Sequence, residues 1–292
     1  MRLANVINKG KPCIAVMRGK DLIDLSAAGP ALPGDIVTIL AGGRDMLGTI
    51  ERTIAAAPVS AMLDIDSVTF LPPVPRPGKI ICVGLNYADH SAESGFKQPD
   101  YPTLFARFSS SLIGHKAPII RPNLSDQLDY EGEVATVIGR TGRHIPKSKA
   151  LDHVAAYSVF NEASVRDYQF KAPQWTVGKN FDDTGAFGPF VVTADELPPG
   201  ASGLKIETRL NGETVQSSNT SHMVFDVASL IAIISEAITL EAGDVIVTGT
   251  PAGVGVARKP PLFMKPGDTC EVEVEGIGLL VNSIAQEAAP KA

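Results

Sequence analysis

Two glutamates, Glu131 and Glu133, stand two positions apart, and the residues that follow, Val134 to Ile138, are almost all apolar. Side chains of a β-strand repeat every two residues, so a strand here would present both carboxylates on one face. The apolar run predicts burial on both sides, which would make the two acids share a desolvated site with a positive group. Oxygen ligands select hard cations, so Mg²⁺ or Mn²⁺ is expected there, and Ca²⁺ fits the same chemistry. The alternative is an edge strand that carries two solvated acids.

A third acid, Glu162, follows another apolar stretch, Val154–Phe160. Glu162, Arg166 and Gln169 are spaced by four and three residues, which predicts one face of a helix. On that face they could border the same site. The alternative is an amphipathic surface helix held by a Glu162–Arg166 ion pair.

His90 and Glu93 stand three residues apart and could meet on one helical turn. A carboxylate beside an imidazole fixes its tautomer and raises its basicity, which is what a general base requires. The alternative is an ordinary surface ion pair.

Two other segments place small residues beside groups that could bind a ligand. Trp175, the single tryptophan, lies four residues before Lys179, and the turn from Thr248 to Gly255 contains three glycines. Backbone N–H groups of such a turn could hold an anion. The turn lacks the Gly-Lys-Ser/Thr ending of a P-loop, and the chain has no dinucleotide-binding glycine fingerprint, GxSxG elbow or HExxH zinc motif.

Short strands separated by turns must position these groups. Asn211-Gly212 predicts a tight hairpin, and helices are expected over Arg44–Ala57 and Asp226–Leu240, the latter capped by Asp226. Strands dominate without regular alternation with helices, so we predict an α+β, mainly β fold. The predicted strands are Leu3–Ile7, Cys13–Met17, Asp21–Leu25, Lys79–Val83, Gly132–Gly139 with a start near Leu128, Leu204–Leu210, Glu213–Gln216, Asp244–Thr248, Glu271–Val274 and Leu279–Ile284.

The segment 71–78 holds four prolines in eight residues. Proline fixes φ and has no N–H, so this segment is expected to be an extended linker. We therefore predict a small N-terminal β-rich domain over residues 1–70, a proline-rich linker over 71–78 and a catalytic domain over 79–292.

Composition excludes several classes of protein. The chain has 292 residues, 44% hydrophobic and 20% charged, which is ordinary globular usage. No apolar run reaches the roughly 18 residues of a membrane span, and no secretory signal is visible. A net charge of −6 argues against a grip on nucleic acid through phosphates. Cys13, Cys82 and Cys270 form no disulfide or zinc spacing, so we expect reduced thiols and a cytoplasmic location.

Six motifs in order resemble the fumarylacetoacetate hydrolase superfamily along essentially all of Pro72–Ile284. They are GLNYADH with a following glutamate, YEGEVATVIGR, FNEASVRDYQ, QWTVGKNFD, LNGE and LEAGDVIVTGTPAGVG. The resemblance implies a mixed β-sandwich roll around a metal site and a homodimer. Residues 1–70 resemble the small N-terminal β domain that many bacterial members carry.

The resemblance also implies roles for individual residues. Those roles are Mg²⁺ or Mn²⁺ ligation by Glu131, Glu133 and Glu162, water activation by His90 and Glu93 on a lid segment, charge stabilisation by Lys179, and contacts to a substrate carboxylate by Arg166, Gln169 and Thr250.

Two positions depart from the family pattern. Glu162 stands where the third ligand is usually Asp, so its longer side chain would either still bind the metal or leave it and pair with Arg166. Arg107 stands where many members carry Lys. A planar guanidinium binds a carboxylate at two points, so Arg107 is expected to bind substrate.

The function implied first is metal-dependent hydrolysis of a C–C bond in a 2,4-dioxo acid, as in an acylpyruvase. His90, oriented by Glu93, would take a proton from water, and Lys179 would offset the charge that develops on the attacked carbonyl. The alternatives on the same site are isomerisation of a 2-hydroxydienedioate and decarboxylation of oxaloacetate, since each passes through an enolate. A catalytically degenerate binding protein is a further alternative. The expected partner is a small oxo acid.

Overall fold

The computed structural model describes residues 1–95 and 97–289. Its nineteen strands are β1 (Arg2–Asn8), β2 (Lys11–Arg18), β3 (Asp21–Asp24), β4 (Met62–Leu63), β5 (Thr69–Leu71), β6 (Ile80–Gly84), β7 (Thr103–Ala106), β8 (Leu112–Ile113), β9 (Ile119–Arg121), β10 (Leu128–Asp129), β11 (Gly132–Ile138), β12 (Val154–Glu162), β13 (Ser164–Val165), β14 (Gly185–Thr193), β15 (Lys205–Leu210), β16 (Glu213–Asn219), β17 (Val245–Val247), β18 (Thr269–Val274) and β19 (Gly278–Gln286) within those ranges. The α-helices there are α1 (Leu25–Ala28), α2 (Ile36–Ala41), α3 (Gly43–Ala55), α4 (Ala88–Glu93), α5 (Arg166–Gln169) and α6 (Val227–Ala237).

Two mixed sheets form the body of the protein. The larger has the order β4-β3-β2-β1-β14-β12-β11-β17-β6-β7, with β5 beside β1 and β8 beside β14, and the smaller has the order β16-β15-β18-β19-β9. Most neighbours are antiparallel, but β17 runs parallel to β6, β19 to β9, and β14 to β8. The prediction of a mainly β fold with mixed sheets is confirmed.

Both faces of the larger sheet are buried at its central strands, which explains why those strands are apolar. Along β11, Val134 and Ile138 belong to the core shared with the smaller sheet, whereas Ala135 and Val137 pack in the core that also contains residues of α2 and α3. Every residue of β11 and of β14 is buried. The site described below therefore stands on strands that are fixed from two sides.

Several local predictions are confirmed. Asn211 and Gly212 both have positive φ, 53° and 82°, as the tight turn between β15 and β16 requires. Asp226 caps α6 by accepting a hydrogen bond from the backbone N–H of Ser229. The helix expected near residue 44 is α3.

The N-terminal strands extend the larger sheet, because β1 pairs with β14 at Arg2↔Val192 and Leu3↔Val191. The division into residues 1–70, 71–78 and 79–292 stays a prediction, and residues 290–292 lie outside the described part of the chain. Within that part, no helix is long and apolar enough to cross a membrane.

Candidate functional site

Three glutamates converge where β11 begins and β12 ends. These antiparallel neighbours pair Gly132 with Asn161, and the backbone N–H of Glu162 donates to the carbonyl of Glu131 at 2.9 Å. This register brings Glu131 and Glu133 beside Glu162, with one ligand oxygen from each lying within 4.8 Å of the others. All three side chains are buried. The alternative of a solvated edge strand is wrong, because β11 lies between β12 and β17.

The helical spacing expected for Glu162, Arg166 and Gln169 is also wrong. Glu162 is the last residue of β12, and α5 begins only at Arg166, after the short strand β13. A Glu162–Arg166 pair does not form. Arg166 instead donates to Asp129 Oδ2 and to Gln169 Oε1, each at 2.8 Å, and its Nη1 forms an ion pair with Glu131 Oε1 at 2.6 Å.

Lys179 supplies a second buried cation. Its Nζ lies 2.6 Å from Glu131 Oε2 and 3.2 Å from Glu162 Oε2. Burial disfavours the ammonium charge, but Glu131 and Glu162 outweigh that effect and raise the pKa of Lys179 above its ordinary value. The lysine is therefore charged throughout the physiological pH range.

The buried cations lie close to Glu131 but not to Glu133, so the pKa values of the two acids shift in opposite directions. Burial alone would raise the pKa of the Glu131 carboxyl, but the charges of Lys179 and Arg166 lower it to about 2. Burial and the negative charges of Glu162 and Glu131 raise the pKa of Glu133 well above its ordinary value. One acid of the three thus lacks a compensating positive charge.

The donor set fits a hard divalent cation. Four buried carboxyl groups, those of Asp129, Glu131, Glu133 and Glu162, lie near three buried cations, Arg107, Arg166 and Lys179, so the fully ionised cluster carries one excess negative charge. Glu162 Oε1 has no hydrogen-bond partner among the described residues. An oxygen-only cluster of this kind is the preferred environment of Mg²⁺ or Mn²⁺, and a divalent ion would neutralise the excess charge.

His90 and Glu93 form a pair on α4. His90 Nδ1 lies 2.9 Å from Glu93 Oε1, and both residues border the cavity described below. His90 is buried, so the pair is not the surface ion pair of the alternative interpretation. With Nδ1 donating to this carboxylate, Nε2 is the basic nitrogen.

The glycine-rich turn after β17 holds anions, but they are carboxylates of the protein itself. The N–H of Gly249 donates to Glu133, that of Gly253 donates to both oxygens of Glu93 at 3.0 and 2.9 Å, and that of Gly255 donates to Asp129 at 2.7 Å. Glycine is required at 253, where φ is 109° and a Cβ would lie 2.2 Å from the carbonyl oxygen of Val215. This one turn therefore holds Glu133 of the acidic cluster, Glu93 of the His90–Glu93 pair and Asp129, the partner of Arg166.

A cavity of about 230 Å³ joins these groups. One wall is apolar and includes Val83, Leu85, Phe170, Trp175 and Val256. The opposing groups are charged or polar. Nine of the ten predicted site residues border it, and they are His90, Glu93, Glu131, Glu133, Glu162, Arg166, Gln169, Lys179 and Thr250.

Two predicted substrate contacts differ in their placement. Arg107 does not border the cavity. It lies behind Glu162, with Nη1 3.7 Å from Glu162 Oε1. Thr250 does border the cavity, but its hydroxyl donates to the carbonyl of Gly132 and accepts from Gln216 Nε2. Arg166, in contrast, has a buried Nη2 with no hydrogen-bond partner among the described residues, as a binding group for a carboxylate would.

Asp129 is a buried acid beside the site that sequence reasoning did not single out. It is fully buried and accepts hydrogen bonds from Arg166 Nε and from the backbone N–H groups of Gly255 and Val256. The signal was available, since Asp129 continues the two-residue spacing of Glu131 and Glu133 in the opposite direction.

Comparison with known proteins identifies the family to which this fold and this acidic site belong. A family model described as the C-terminal domain of fumarylacetoacetate hydrolase matches residues 79–285. The chain belongs to the fumarylacetoacetate hydrolase family, as the six sequence motifs predicted.

Similar proteins include an oxaloacetate tautomerase, a fumarylacetoacetate hydrolase and a maleylpyruvate hydrolase. The mitochondrial oxaloacetate tautomerase Fahd2a of Rattus norvegicus is 44% identical over 267 residues, which cover 91% of this chain and 84% of the rat protein. The structure of fumarylacetoacetate hydrolase from Exiguobacterium antarcticum superposes with a TM-score of 0.85 at 38% identity, covering 98% of this chain and all of that one. Maleylpyruvate hydrolase from Sphingobium sp. SYK-6, solved with manganese(II) and pyruvate, gives a TM-score of 0.82 at 26% identity, covering 99% of this chain and all of that one.

Proposed function

We propose that this chain is a divalent-metal-dependent enzyme that interconverts the enol and keto forms of a small 2-oxo acid, with oxaloacetate as the leading substrate. The observation that carries the proposal is the meeting of a buried three-carboxylate cluster and the His90–Glu93 pair in one cavity. The tautomerase name of the rat relative supports the choice of reaction.

The cluster of Glu131, Glu133 and Glu162 is the proposed site of Mg²⁺ or Mn²⁺. The ion would supply Lewis acidity at the 2-oxo group of the substrate. The manganese in the maleylpyruvate hydrolase structure supports this choice of metal.

The remaining roles belong to the protein. Arg166 Nη2 is available to bind the substrate carboxylate, and Lys179 offsets negative charge next to Glu131 and Glu162. His90 Nε2 would deliver a proton to C3 of the enol while the proton of the 2-hydroxyl group passes to solvent, and Glu93 keeps that nitrogen basic. The small cavity supports a substrate of few carbons, since its volume lies below the roughly 300–1,000 Å³ of typical drug-sized ligand sites.

The second candidate is hydrolysis of a C–C bond in a 2,4-dioxo acid, the reaction that the sequence motifs implied first. The His90–Glu93 pair favours it because the same nitrogen could take a proton from an attacking water. The maleylpyruvate hydrolase relative supports it as well. Decarboxylation of oxaloacetate needs no attacking water and remains a third reaction for the same groups.

One panel separates these reactions. The protein is assayed with Mg²⁺ or Mn²⁺ on enol oxaloacetate, acylpyruvates and dienedioates, and the products are identified by NMR. We expect rapid loss of the oxaloacetate enol, with its four carbons retained. Cleavage of acylpyruvates with no effect on the enol would replace the first candidate by the second, and release of pyruvate and CO₂ would replace it by the third. No reaction with any substrate would support a degenerate binding protein.

The His90→Gln variant tests the proposed proton carrier. We expect kcat to fall by roughly 10²–10⁴, the usual contribution of general acid–base catalysis. The matched control is His222→Gln, because His222 is exposed and does not border the cavity. Equal activity of the two variants would exclude His90 from proton transfer.

We also propose a homodimer in a reducing compartment, with the cytoplasm as the expected location. The free thiols of Cys13, Cys82 and Cys270 support the compartment, and the family resemblance supports the dimer. Light scattering on the purified protein measures the oligomeric state directly.

A further inference from the structure

Arg107 lies next to the acidic cluster but outside the cavity. Its side chain is fully buried, and Nη1 is 3.7 Å from Glu162 Oε1. The other oxygen of the same carboxylate, Oε2, faces Lys179 Nζ at 3.2 Å. The Glu162 carboxylate is therefore held between two cations, one behind it and one on the side of Glu131.

The guanidinium of Arg107 is fixed in place by groups unrelated to the cavity. Nε donates to Ser111 Oγ at 3.0 Å, and Nη2 donates to Thr184 Oγ1 at 2.6 Å and to the carbonyl of Ala163 at 3.3 Å. Gly185, the cross-strand partner of Glu162, leaves room for the guanidinium, because a Cβ there would lie 2.7 Å from Arg107 Nε. Only Nη1 has no such partner, and Nη1 is the atom that faces Glu162.

A buried donor and a buried acceptor that face each other are thus both left without hydrogen bonds. Arg107 Nη1 and Glu162 Oε1 both lack a partner among the described residues. Buried polar groups of this kind are usually satisfied, and an unsatisfied charged group is costly. The 3.7 Å between these two atoms exceeds the usual hydrogen-bond distance, so the Glu162 carboxylate would have to approach a guanidinium that Ser111 and Thr184 already hold.

We propose that Arg107 is a positioning residue that holds the Glu162 carboxylate from behind and so sets the affinity of the three-glutamate cluster for a divalent cation. The inference rests on the proposed metal-dependent function. A lysine could not fulfil this role, because one ammonium lacks the planar fork that contacts Ser111, Thr184 and Glu162 at once. Orientation, rather than positive charge alone, is the contribution of Arg107.

The test is a double-variant cycle in which calorimetry measures Mn²⁺ affinity. Arg107→Lys keeps the charge and removes the fork, so we expect Mn²⁺ affinity to fall about tenfold, within the usual range for directly coupled residues. In a Glu162→Gln background, the same Arg107→Lys change should alter affinity less than about twofold. Thermal unfolding without metal confirms that each variant is folded.

A second variant covers the case in which Arg107→Lys does not fold. Thr184→Val keeps Arg107 but removes the hydroxyl that holds Nη2, so we expect a smaller loss of Mn²⁺ affinity that also disappears in the Glu162→Gln background. The matched control is Thr136→Val, the same change at a buried hydroxyl on β11 that has no hydrogen-bond partner among the described residues. It should leave affinity unchanged.

The outcomes separate this inference from the function on which it rests. If the unaltered protein binds no Mn²⁺, the metal-dependent function fails and the inference fails with it. If the unaltered protein binds Mn²⁺ but Arg107→Lys and Thr184→Val bind it equally well, only the role of Arg107 is overturned. Equal losses in the unaltered and the Glu162→Gln backgrounds would also overturn it, because the effect would not pass through the carboxylate.

Discussion

Glu131 and Glu133 are chemically identical and border the same cavity, yet their surroundings have opposite effects. Glu131 contacts Arg166 and Lys179, whereas Glu133 has the charges of Glu162 and Glu131 nearby and a backbone N–H of Gly249 as its hydrogen-bond donor. In the protein without metal, the charge on Glu131 is compensated and the charge on Glu133 is costly.

Substituting each glutamate by glutamine should therefore change stability in opposite directions. Without metal, Glu133→Gln is expected to raise the free energy of unfolding by about 1–2 kcal/mol, because it replaces a buried carboxyl group whose ionised form has no paired cation. Glu131→Gln is expected to lower it by about 3 kcal/mol, because it removes the buried carboxylate that Lys179 and Arg166 share and leaves each cation with a single acidic partner. Thermal unfolding in a chelator measures both.

The same two variants have a common effect on metal binding. Each removes an anionic oxygen ligand, so both should weaken Mn²⁺ binding in calorimetry. Loss of stability in both variants without metal, with unchanged Mn²⁺ affinity, would contradict the assignment of these acids as ligands.

The sequence could predict most site residues, but not their contacts. The two-residue spacing identified Glu131 and Glu133 because strand periodicity is local. The four-residue spacing of Glu162 and Arg166 wrongly predicted that they share a helix, since nothing in the local pattern marks the short strand β13 that separates them. The sequence predicted Arg107 as a substrate contact, but the structure places it outside the cavity. The position of its guanidinium depends on tertiary partners, here Ser111 and Thr184, which are distant from one another in sequence.

At the scale of elements, α4 and the turn after β17 act as one unit. Glu93 contacts His90 on its own helix and the N–H of Gly253 across the cavity edge. The turn also binds Glu133 and Asp129 through its N–H groups. The proposed base and the acidic cluster thus share one scaffold.

Gly253→Ala tests this coupling. The added Cβ would meet the carbonyl of Val215, so the turn must shift and Glu93 loses its anchor. We expect kcat to fall at least roughly tenfold, because a base displaced by about 1 Å loses much of its effect. Steady-state kinetics and thermal unfolding are measured together.

Gly212→Ala is the matched control for backbone strain. Gly212 also has positive φ, 82°, but a Cβ there meets nothing within 4 Å. It should cost about 1 kcal/mol of stability and leave kcat unchanged. Equal kinetic effects of the two substitutions would show that strain, and not the position of Glu93, is responsible.

At the scale of the whole molecule, His115 joins three parts of the fold. Its ring packs edge-on against Phe70 of β5, with centroids 5.1 Å apart, and its Nδ1 accepts a hydrogen bond from the N–H of Val281 in β19. Burial, with a smaller contribution from Lys116, lowers the pKa of His115 to about 4 from 6.5. The imidazole is therefore neutral in the folded protein at neutral pH.

This shift predicts a loss of stability in mild acid. Between about pH 6.5 and pH 4 the unfolded chain binds a proton at His115 that the folded protein does not, so the free energy of unfolding falls as pH falls through this window. The loss is roughly 2 kcal/mol, given the partial exposure of the ring. His115→Gln, which keeps an acceptor for Val281, should flatten this part of the pH–stability curve. An unchanged slope in that variant would contradict the assignment.

The sequence predicted the individual strands, turns and helices more readily than the long-range contacts that join them. Apolar strands, the Asn211-Gly212 turn and the Asp226 cap are local signals, and each produced the expected element. The pairing of β1 with β14 and the packing of His115 on Phe70 join residues far apart in the chain, and no periodicity reports such contacts.

Metal dependence is tested most directly by the rate at which enol oxaloacetate becomes the keto form in the presence of the metal-stripped protein, before and after Mg²⁺ or Mn²⁺ is restored. The metal-stripped protein is expected to leave the rate the same as in a solution without protein. Restoring the ion is expected to give a rate higher than that of the ion without protein. A stripped protein that converts the enol as fast as the restored one would contradict the claim that Glu131, Glu133 and Glu162 bind a metal essential to this reaction.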